Sequence, residues 1–226
     1  SFQKINVLSG ADYSYTINDI TFTSSGAVVV YIFQPSPANN YRGIYISTDN
    51  GSTWERQLAP TLVSTIFCDD DRIYVSFGDG GDGYSYSDDF GNNWTSNSGG
   101  TREAYGFFRA GTGKIFIGTY NNGLYASTDD GNTWGQVFFD GNVTIWSVKG
   151  SDGGTIHLIN AFAYNRSTDD GVTWNFVNPG PIAQIRAMKT KGNNVFIGYF
   201  DAVTLYYSQD AGATWAQFDL SGLNSN

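Results

Sequence analysis

The chain has almost no cysteine or histidine. Cys68 is the only cysteine among 226 residues, which excludes an internal disulfide and a cysteine-based metal cluster within one chain. We expect Cys68 to be a small buried residue at the end of a strand, since free cysteine is usually buried and inert. His157 lies within a predicted strand with no second histidine in the sequence, so we expect neither a zinc site nor a catalytic triad there. The prediction is a protein without cofactor or metal.

Basic residues and glutamate are also scarce. The 12 Lys and Arg residues stand against 21 acidic ones, giving a formal net charge of -9, and Glu55 and Glu103 are the only glutamates. A nucleic-acid partner is not expected, because neutralising phosphates requires clustered Lys and Arg. Long hydrophobic runs are missing as well: the longest, from Ala27 to Phe33, is far too short to span a bilayer, so we expect no membrane insertion.

Glycine and aromatic residues are abundant instead. The chain contains 28 Gly, and 16% of its residues are aromatic. This composition is typical of many short strands joined by tight turns, and no stretch shows a convincing helical period. At this length, all-β proteins routinely fold as one domain. We therefore predict a single all-β domain over residues 1–226.

An eight-residue pattern, called the box here, occurs five times. The copies are STDNGSTW, SDDFGNNW, STDDGNTW, STDDGVTW and SQDAGATW, and they begin at Ser47, Ser87, Ser127, Ser167 and Ser208. Successive copies are therefore 40, 40, 40 and 41 residues apart. A period near 40 is the size of one four-stranded propeller blade. The sequence predicts five such blades, with repeats ending near the box tryptophans.

The residue types of the box suit a sharp turn between strands. The Asp at the third position can accept hydrogen bonds from the backbone of its own turn, and the Gly two residues later can adopt a positive φ. The Ser and Thr hydroxyls can bond to the same loop, and the Trp can anchor it by burial. Asn93 replaces Thr in the second box, and Ala211 and Ala213 stand in the fifth. We expect those two turns to be less well tied.

Short strands with alternating apolar residues flank each box. In the third repeat, Ile115–Tyr120 and Leu124–Ser127 form a strand, a turn and a second strand that ends in the box. The N-terminal segment Phe2–Val7 resembles a further outer strand. It either joins the last blade and closes the ring like a clasp, which we favour because an unpaired edge strand is an aggregation hazard, or it belongs to an adjacent blade or domain.

The five boxes resemble the Asp-box or BNR repeat of sialidases, sortilin-type receptors and photosystem assembly factors. This resemblance implies a five-bladed β-propeller of four-stranded antiparallel blades, with each box in the turn between the third and fourth strands. In these proteins the box lies on the face opposite the substrate site. The resemblance therefore implies a structural role for the box aspartates and tryptophans: Asp49, Asp89, Asp129, Asp169, Asp210, Trp54, Trp94, Trp134, Trp174 and Trp215.

The face opposite the boxes is the predicted location of a ligand site. It is formed by the turns between second and third strands and by the links between blades. Aromatic rings beside amide and guanidinium groups suit sugars, which offer apolar C–H patches ringed by hydroxyls. The predicted ligand-binding residues are Tyr41, Arg42, Arg102, Tyr105, Tyr120, Asn121, Trp146, Arg186 and Tyr199. The same rim is expected to include Gln34, Asn40, Asp79, Asp82, Asn122, Glu103 and Asp201.

The resemblance leaves three functions open. We favour a non-catalytic, lectin-like propeller, extracellular or periplasmic, that recognises a glycan or a protein partner. A sialidase-like glycoside hydrolase is the first alternative, since Arg42, Arg102 and Arg186 could converge near Glu103 and Tyr105. Against it, the nearest match to the sialidase Phe-Arg-Ile-Pro segment is Phe107–Ala110, with its arginine expected on the box side, and the connections are short. The second alternative is a structural module of a larger secreted protein.

Two acidic features are candidates for cation binding. Asp79-Gly-Gly-Asp82-Gly83 could hold a hard cation, but Gly-Asp runs are more often plain turns. The box aspartates supply one carboxylate per turn, whereas calcium takes six to eight oxygens. We therefore predict no metal at either place.

Overall fold

The structure, a computed structural model, describes residues 16–33, 41–58, 62–78, 83–97, 103–138, 141–160, 162–177, 179–180, 184–199 and 204–218. Regular structure within these ranges is β-strand, except for short 3-10 turns such as Asp152–Gly154. In the same ranges, no helix is long and apolar enough to cross a membrane.

The strands form five antiparallel sheets of four, each following the chain order. We call these sheets blades 1 to 5. Blade 1 contains β1 (Thr16–Phe22), β2 (Val28–Phe33), β3 (Gly43–Ser47) and β4 (Glu55–Leu58). Blade 2 contains β5 (Val63–Asp69), β6 (Arg72–Phe77), β7 (Tyr84–Ser87) and β8 (Thr95–Asn97). Blade 3 contains β9 (Ala104–Arg109), β10 (Ile115–Thr119), β11 (Leu124–Ser127) and β12 (Gly135–Phe138). Blade 4 contains β13 (Ile145–Gly150), β14 (Ile156–Asn160), β15 (Tyr164–Ser167) and β16 (Asn175–Val177). Blade 5 contains β17 (Ile185–Lys191), β18 (Asn194–Tyr199), β19 (Leu205–Ser208) and β20 (Ala216–Phe218).

Each box connects the third strand of its blade to the fourth, as expected. In the third box, the Ser127 hydroxyl donates to Asp129 Oδ1 at 2.7 Å and accepts from the Gly131 N–H at 2.8 Å. Asp129 also accepts from the Thr133 N–H at 2.8 Å and the Thr133 hydroxyl at 2.6 Å. The Trp134 Nε1–H donates to the Gly131 carbonyl at 3.1 Å. The turn is thus closed by bonds among eight consecutive residues.

The fifth box keeps each bond named for the third, so the expectation of a looser turn is wrong there; the second box lacks one of them, because Trp94 Nε1 has no hydrogen-bond partner among the described residues. The Asn93 amide donates to Asp89 Oδ2 at 2.6 Å, in the place of the threonine hydroxyl. The Thr214 hydroxyl donates to Asp210 at 2.6 Å, and the Ala213 N–H adds a bond at 3.1 Å. The backbone N–H groups of Asn93 and Thr214 also donate to the box aspartates, each at 2.8 Å.

The chain divides into two compact units, residues 1–103 and 104–226. In the first unit, Val29 and Ile46 of blade 1 share a core with Ile66 and Val75 of blade 2. In the second unit, blades 3 and 4 share one core, and blades 4 and 5 share another. In each of these pairs, the box tryptophan of the later blade packs against the shared core; these residues are Trp94, Trp174 and Trp215.

Three further sequence predictions concern Cys68, Arg109 and the segment Phe2–Val7. Cys68 lies near the end of β5 and is half-buried, and this burial raises the pKa of its thiol to about 12. Arg109 lies on the box side of blade 3, as expected, because it donates to Asp130 at 2.9 Å. Phe2–Val7 lies outside the described residues, and each of the five sheets has four strands without it.

Candidate functional site

A β-bulge recurs in the first strand of every blade. In each case one residue of the first strand is skipped in the pairing with the second strand. A bulge bends the strand and changes the direction of a side chain, and bulges are over-represented next to active sites. The skipped residues are Asn18, Ser64, Tyr105, Trp146 and Arg186.

The three bulge residues of the second unit contact one another in sequence, and we call them the bulge arc. The rings of Tyr105 and Trp146 lie 5.0 Å apart between centroids. The Arg186 guanidinium lies 5.5 Å from the centroid of the Trp146 ring, within cation–π distance. Tyr120 extends the row, since its ring is 6.2 Å from that of Tyr105. The bulges therefore place three side chains from three successive blades in one row.

A groove of about 360 Å³ adjoins the bulge arc at Trp146. It lies at the strand ends opposite the boxes of blades 3 and 4, where the predicted site face was expected. We call it the amide groove, because three of its eight described lining residues are asparagines. Within the part of the chain that the structure describes, its lining consists of Asn121, Asn142, Val143, Thr144, Trp146, Asn160, Phe162 and Ala163.

Hydrogen bonds fix two of the three asparagines. The Thr144 hydroxyl donates to Asn121 Oδ1 at 2.9 Å and accepts from the Asn121 N–H at 3.1 Å. Asn160 Oδ1 accepts from the N–H groups of Phe162 and Ala163, at 2.9 and 2.7 Å. This second arrangement is an Asx-type turn, and it holds the Phe162 ring outward with 61% of its surface exposed. The groove thus combines two asparagine side chains held by hydrogen bonds, Asn121 and Asn160, with the exposed aromatic ring of Phe162.

The described lining of the groove is electrically neutral, since none of these eight residues is Asp, Glu, Lys, Arg or His. The charge nearest to it in the bulge arc is Arg186, which is exposed and donates to Gln184 Oε1 at 2.8 Å. The lining offers amide, hydroxyl and aromatic groups, which can bind a neutral polar ligand. Acid–base chemistry would have to come from other residues.

The structure distributes the remaining predicted ligand residues over both units. Tyr41 and Arg42 lie in the first unit, where their carbonyls accept bonds from the Tyr45 hydroxyl and the Arg56 guanidinium. Tyr199, in blade 5, is largely buried, and its ring centroid lies 5.6 Å from that of Tyr206. Burial raises the pKa of Tyr199 to about 12. Their roles as ligand residues stay predictions. Gln34, Asn40, Asp79, Asp82, Arg102 and Asp201 lie outside the described residues.

The residues expected for sialidase chemistry have other contacts. Glu103 accepts a hydrogen bond from the Ser64 hydroxyl, and Tyr105 packs into the bulge arc. Among the described residues, no group of three or more His, Cys, Asp or Glu side chains is arranged to hold a metal ion.

Most lining residues of the amide groove were not predicted from the sequence: Asn142, Val143, Thr144, Asn160, Phe162 and Ala163. Their positions in the repeat could have indicated them: the first three precede β13, Asn160 is the last residue of β14, and Phe162 and Ala163 lie between β14 and β15. Asn122, which was expected at the rim, donates to the Tyr125 hydroxyl at 2.6 Å.

No protein-family model matches the chain. A search of curated proteins finds YkuO of Bacillus subtilis (strain 168), described as uncharacterized, which is 30% identical over 108 residues. That match covers 40% of this chain and 36% of YkuO. It shows that part of the sequence is shared with a bacterial protein.

Solved structures give matches over most of the chain. YCF48 bound to D1 peptide has a TM-score of 0.67 at 17% identity, covering 96% of this chain and 70% of that one. A GH74 enzyme of Niastella koreensis has a TM-score of 0.70 at 16% identity, covering 89% of this chain and 38% of that one. A catalytically inactive virginiamycin B lyase from Staphylococcus aureus with quinupristin has a TM-score of 0.73 at 16% identity, covering 96% and 73%. At these identities the likeness concerns the fold alone. Together with the five four-stranded antiparallel sheets, it shows that the chain belongs to the all-β, five-bladed β-propeller fold class.

Proposed function

We propose that this chain is a non-catalytic binding propeller that recognises a neutral glycan with the amide groove and the bulge arc. The observation that carries the proposal is the continuity of the two at Trp146, which lines the groove and contacts both Tyr105 and Arg186. Aromatic faces accept the C–H surface of a sugar, and fixed amides bind its hydroxyls. We also propose that the boxes are Asp-box (BNR) repeats with a scaffold role, and that the protein is extracellular or periplasmic.

A peptide ligand is the second candidate. It is favoured by the likeness to YCF48, whose structure was solved with a D1 peptide. A neutral groove lined by amides can also bind the backbone of an extended peptide. The two ligand classes differ in what they present: a sugar ring stacks on Trp146, whereas a peptide pairs its amides with Asn121 and Asn142.

Glycoside hydrolysis, which the GH74 likeness keeps open, has weaker support from the site. It uses two carboxyl groups about 5 to 9.5 Å apart on either side of the scissile bond. The lining residues that the structure describes include no carboxyl group. Incubation of the chain with xyloglucan and with sialosides, followed by product analysis, tests this alternative, and turnover that survives Trp146→Ala would place the chemistry elsewhere in the molecule.

The proposal is tested on a glycan array followed by calorimetry with the strongest ligand. Trp146→Ala should weaken binding by about tenfold or more, since truncation of a central aromatic anchor typically costs 1–2 kcal/mol or more. Arg72→Ala is the matched control, because Arg72 lies 4.6 Å from the ring centroid of Tyr86 and bonds Asp88 on the box side of blade 2. It should leave binding unchanged. If the array shows no specific binding, a peptide library is screened next. Peptides that bind the wild-type chain but not Trp146→Ala would show that the ligand is a peptide and not a glycan.

A further inference from the structure

The two fixed asparagines of the amide groove present the same end of their side chains. Asn121 Oδ1 accepts from the Thr144 hydroxyl, and Asn160 Oδ1 accepts from two backbone N–H groups. Because only the oxygen of an amide accepts hydrogen bonds, these contacts leave the Nδ2 end of each side chain over. Among the described residues, neither Nδ2 group has a hydrogen-bond partner. The groove therefore offers two amide donors.

The Thr144 hydroxyl, the third fixed polar group of the groove, is already used in both directions. It accepts from the Asn121 N–H at 3.1 Å and gives its only proton to Asn121 Oδ1 at 2.9 Å. Asn160 is only 5% exposed, and a buried N–H group without an acceptor costs free energy. The fixed part of the groove is thus rich in donors, and it calls for a molecule that supplies acceptors.

Small apolar side chains lie beside these donors. Val143 and Ala163 line the groove and are half-buried. The Val143 carbonyl accepts from the Gly123 N–H at 3.1 Å, which ties the segment before β13 to the turn between β10 and β11. The donors and the apolar surface are therefore held in place before any ligand binds, which lowers the entropy cost of binding.

This combination favours a carbonyl group next to a methyl group. A sugar hydroxyl that accepts from Asn121 or Asn160 must still place its own proton, whereas a carbonyl oxygen accepts and has no proton to place. A methyl group gains free energy when Val143 and Ala163 cover it. An acetyl group carries both features in one planar unit.

We infer that the amide groove is specific for the acetamido group of an N-acetylated sugar, an inference that rests on the proposed function. Asn121 and Asn160 donate to the acetyl carbonyl, the methyl group contacts Val143 and Ala163, and the sugar ring lies on Trp146. Asn142 is exposed, and its side chain has no hydrogen-bond partner in the described part of the chain. Its Oδ1 is the acceptor for the acetamido N–H, which an O-acetyl ester lacks.

Two sugars with the same backbone test the inference on the wild-type protein. Chitotriose carries an acetamido group where cellotriose carries a hydroxyl, and both are neutral. Calorimetry should show chitotriose binding at least about tenfold more tightly, because cellotriose lacks the carbonyl and the methyl group. Trp146→Ala should weaken the binding of chitotriose.

The outcomes separate this inference from the proposed function. Cellotriose that binds as tightly as chitotriose, with both lost in Trp146→Ala, would overturn the acetamido specificity and leave a glycan site at Trp146. Acetylated xylotriose that binds as tightly as chitotriose would overturn the role of the N–H group. If no neutral glycan binds at all, the proposed function itself fails.

A second test exchanges a donor for an acceptor in the protein. Asn160→Asp keeps an oxygen for the N–H groups of Phe162 and Ala163 but replaces the amide N–H2 by oxygen, and it should weaken chitotriose binding at least about tenfold. Asn121→Asp makes the same exchange in the other turn and should have the same effect. The control is Asn175→Asp, which adds the same charge at an exposed position of β16 and should leave binding unchanged.

Thermal unfolding establishes that the variants keep the wild-type fold. The two groove variants lie in different turns, so a folding defect in one leaves the other to decide. Folded Asn160→Asp or Asn121→Asp protein that binds chitotriose as tightly as the wild type, or a control that loses affinity equally, would overturn the inference.

Discussion

The box glycine is constrained twice, once by its own backbone and once by the neighbouring blade. Gly171 has φ +80°, a conformation that costs a residue with a Cβ about 1–2 kcal/mol. It also lies against Phe116 of the preceding blade. The residue before it is left-handed too, although it is not glycine: Asp170 has φ 58°, and Ala211 in the fifth box has φ 53°. The hydrogen bonds of the box stabilise this unusual pair of conformations.

Gly171→Ala should destabilise the protein by about 2–4 kcal/mol, because the positive φ and the clash with Phe116 add. Gly135→Ala is the control: Gly135 lies in β12, with no heavy atom within 4 Å of an added Cβ, and its replacement should be neutral or stabilising by up to about 1 kcal/mol. Urea unfolding of both variants measures the difference. Equal stability of the two variants would show that the box glycine is not constrained.

The box aspartates link stability to pH. Hydrogen bonds from Thr133 and Ser127 lower the pKa of Asp129 to about 2, whereas an unfolded aspartate titrates near about 3.9. A lowered pKa in the folded state stabilises the protein above the unfolded pKa, and this contribution is lost as the pH falls through the folded pKa. The same cause lowers the pKa of Asp49 and Asp169.

The wild-type midpoint of thermal unfolding should therefore fall between about pH 5 and pH 2. Asp129→Asn should unfold at a lower temperature than the wild type at pH 7. Its unfolding temperature should fall less on acidification, because the variant lacks one of the carboxylates whose pKa is lowered in the folded state. Calorimetric scans across this pH range measure both slopes, and parallel curves for the two proteins would contradict the linkage.

At the scale of the element, blade 4 contains a buried polar hairpin. His157 of β14 is fully buried; its Nδ1 lies 2.6 Å from the Tyr164 hydroxyl of β15, and its Nε2 lies 3.0 Å from the Ser151 hydroxyl. Burial, with a smaller contribution from Arg166, lowers the pKa of His157 to about 4. The folded hairpin therefore holds a neutral imidazole, while the unfolded chain binds a proton below about pH 6.5.

This hairpin should lose stability as the pH falls from 7 to 5. The unfolded state binds a proton at His157 that the folded state does not bind. This difference lowers the free energy of unfolding by about 2 kcal/mol over this range. His157→Gln removes the titration, so its unfolding free energy should be lower at pH 7 and nearly flat between the two values. Urea unfolding at pH 5, 6 and 7 gives the slopes; a wild-type slope as flat as that of the variant would mean that the imidazole is charged in the fold.

The bulges are the second feature at this scale. Each bulge removes one residue from the pairing of the first and second strands, and in blades 3 to 5 that residue is Tyr105, Trp146 or Arg186. The alternation of apolar residues along these strands predicts the strand but not the extra residue. The bulge arc is therefore a property of register between strands.

At the scale of the whole molecule, the net charge of -9 selects among ligands of the neutral groove. Sulfated and sialylated glycans should be repelled, and hits on the array should be neutral. Affinity for a neutral ligand should change by less than about twofold between low and high salt, because no ion pair is screened. Calorimetry at two salt concentrations measures this, with a polyanion such as heparin as the comparison. Strong, salt-sensitive heparin binding would contradict both the neutral site and the expectation that nucleic acid is not a partner.

The sequence by itself determined the five blades, the position of each box between third and fourth strands, and the box aspartates as acceptors of hydrogen bonds within their own turns. These features are local: every bond that closes a box lies within eight consecutive residues, so residue type and spacing suffice to predict it. The sequence also singled out Tyr105, Trp146 and Arg186, but as unconnected members of a rim. Only the tertiary structure joined them, because their contacts depend on bulge register and on the packing of one blade against the next. The amide groove was decided at the same level, since its lining brings together residues before β13 and residues between neighbouring strands of blades 3 and 4.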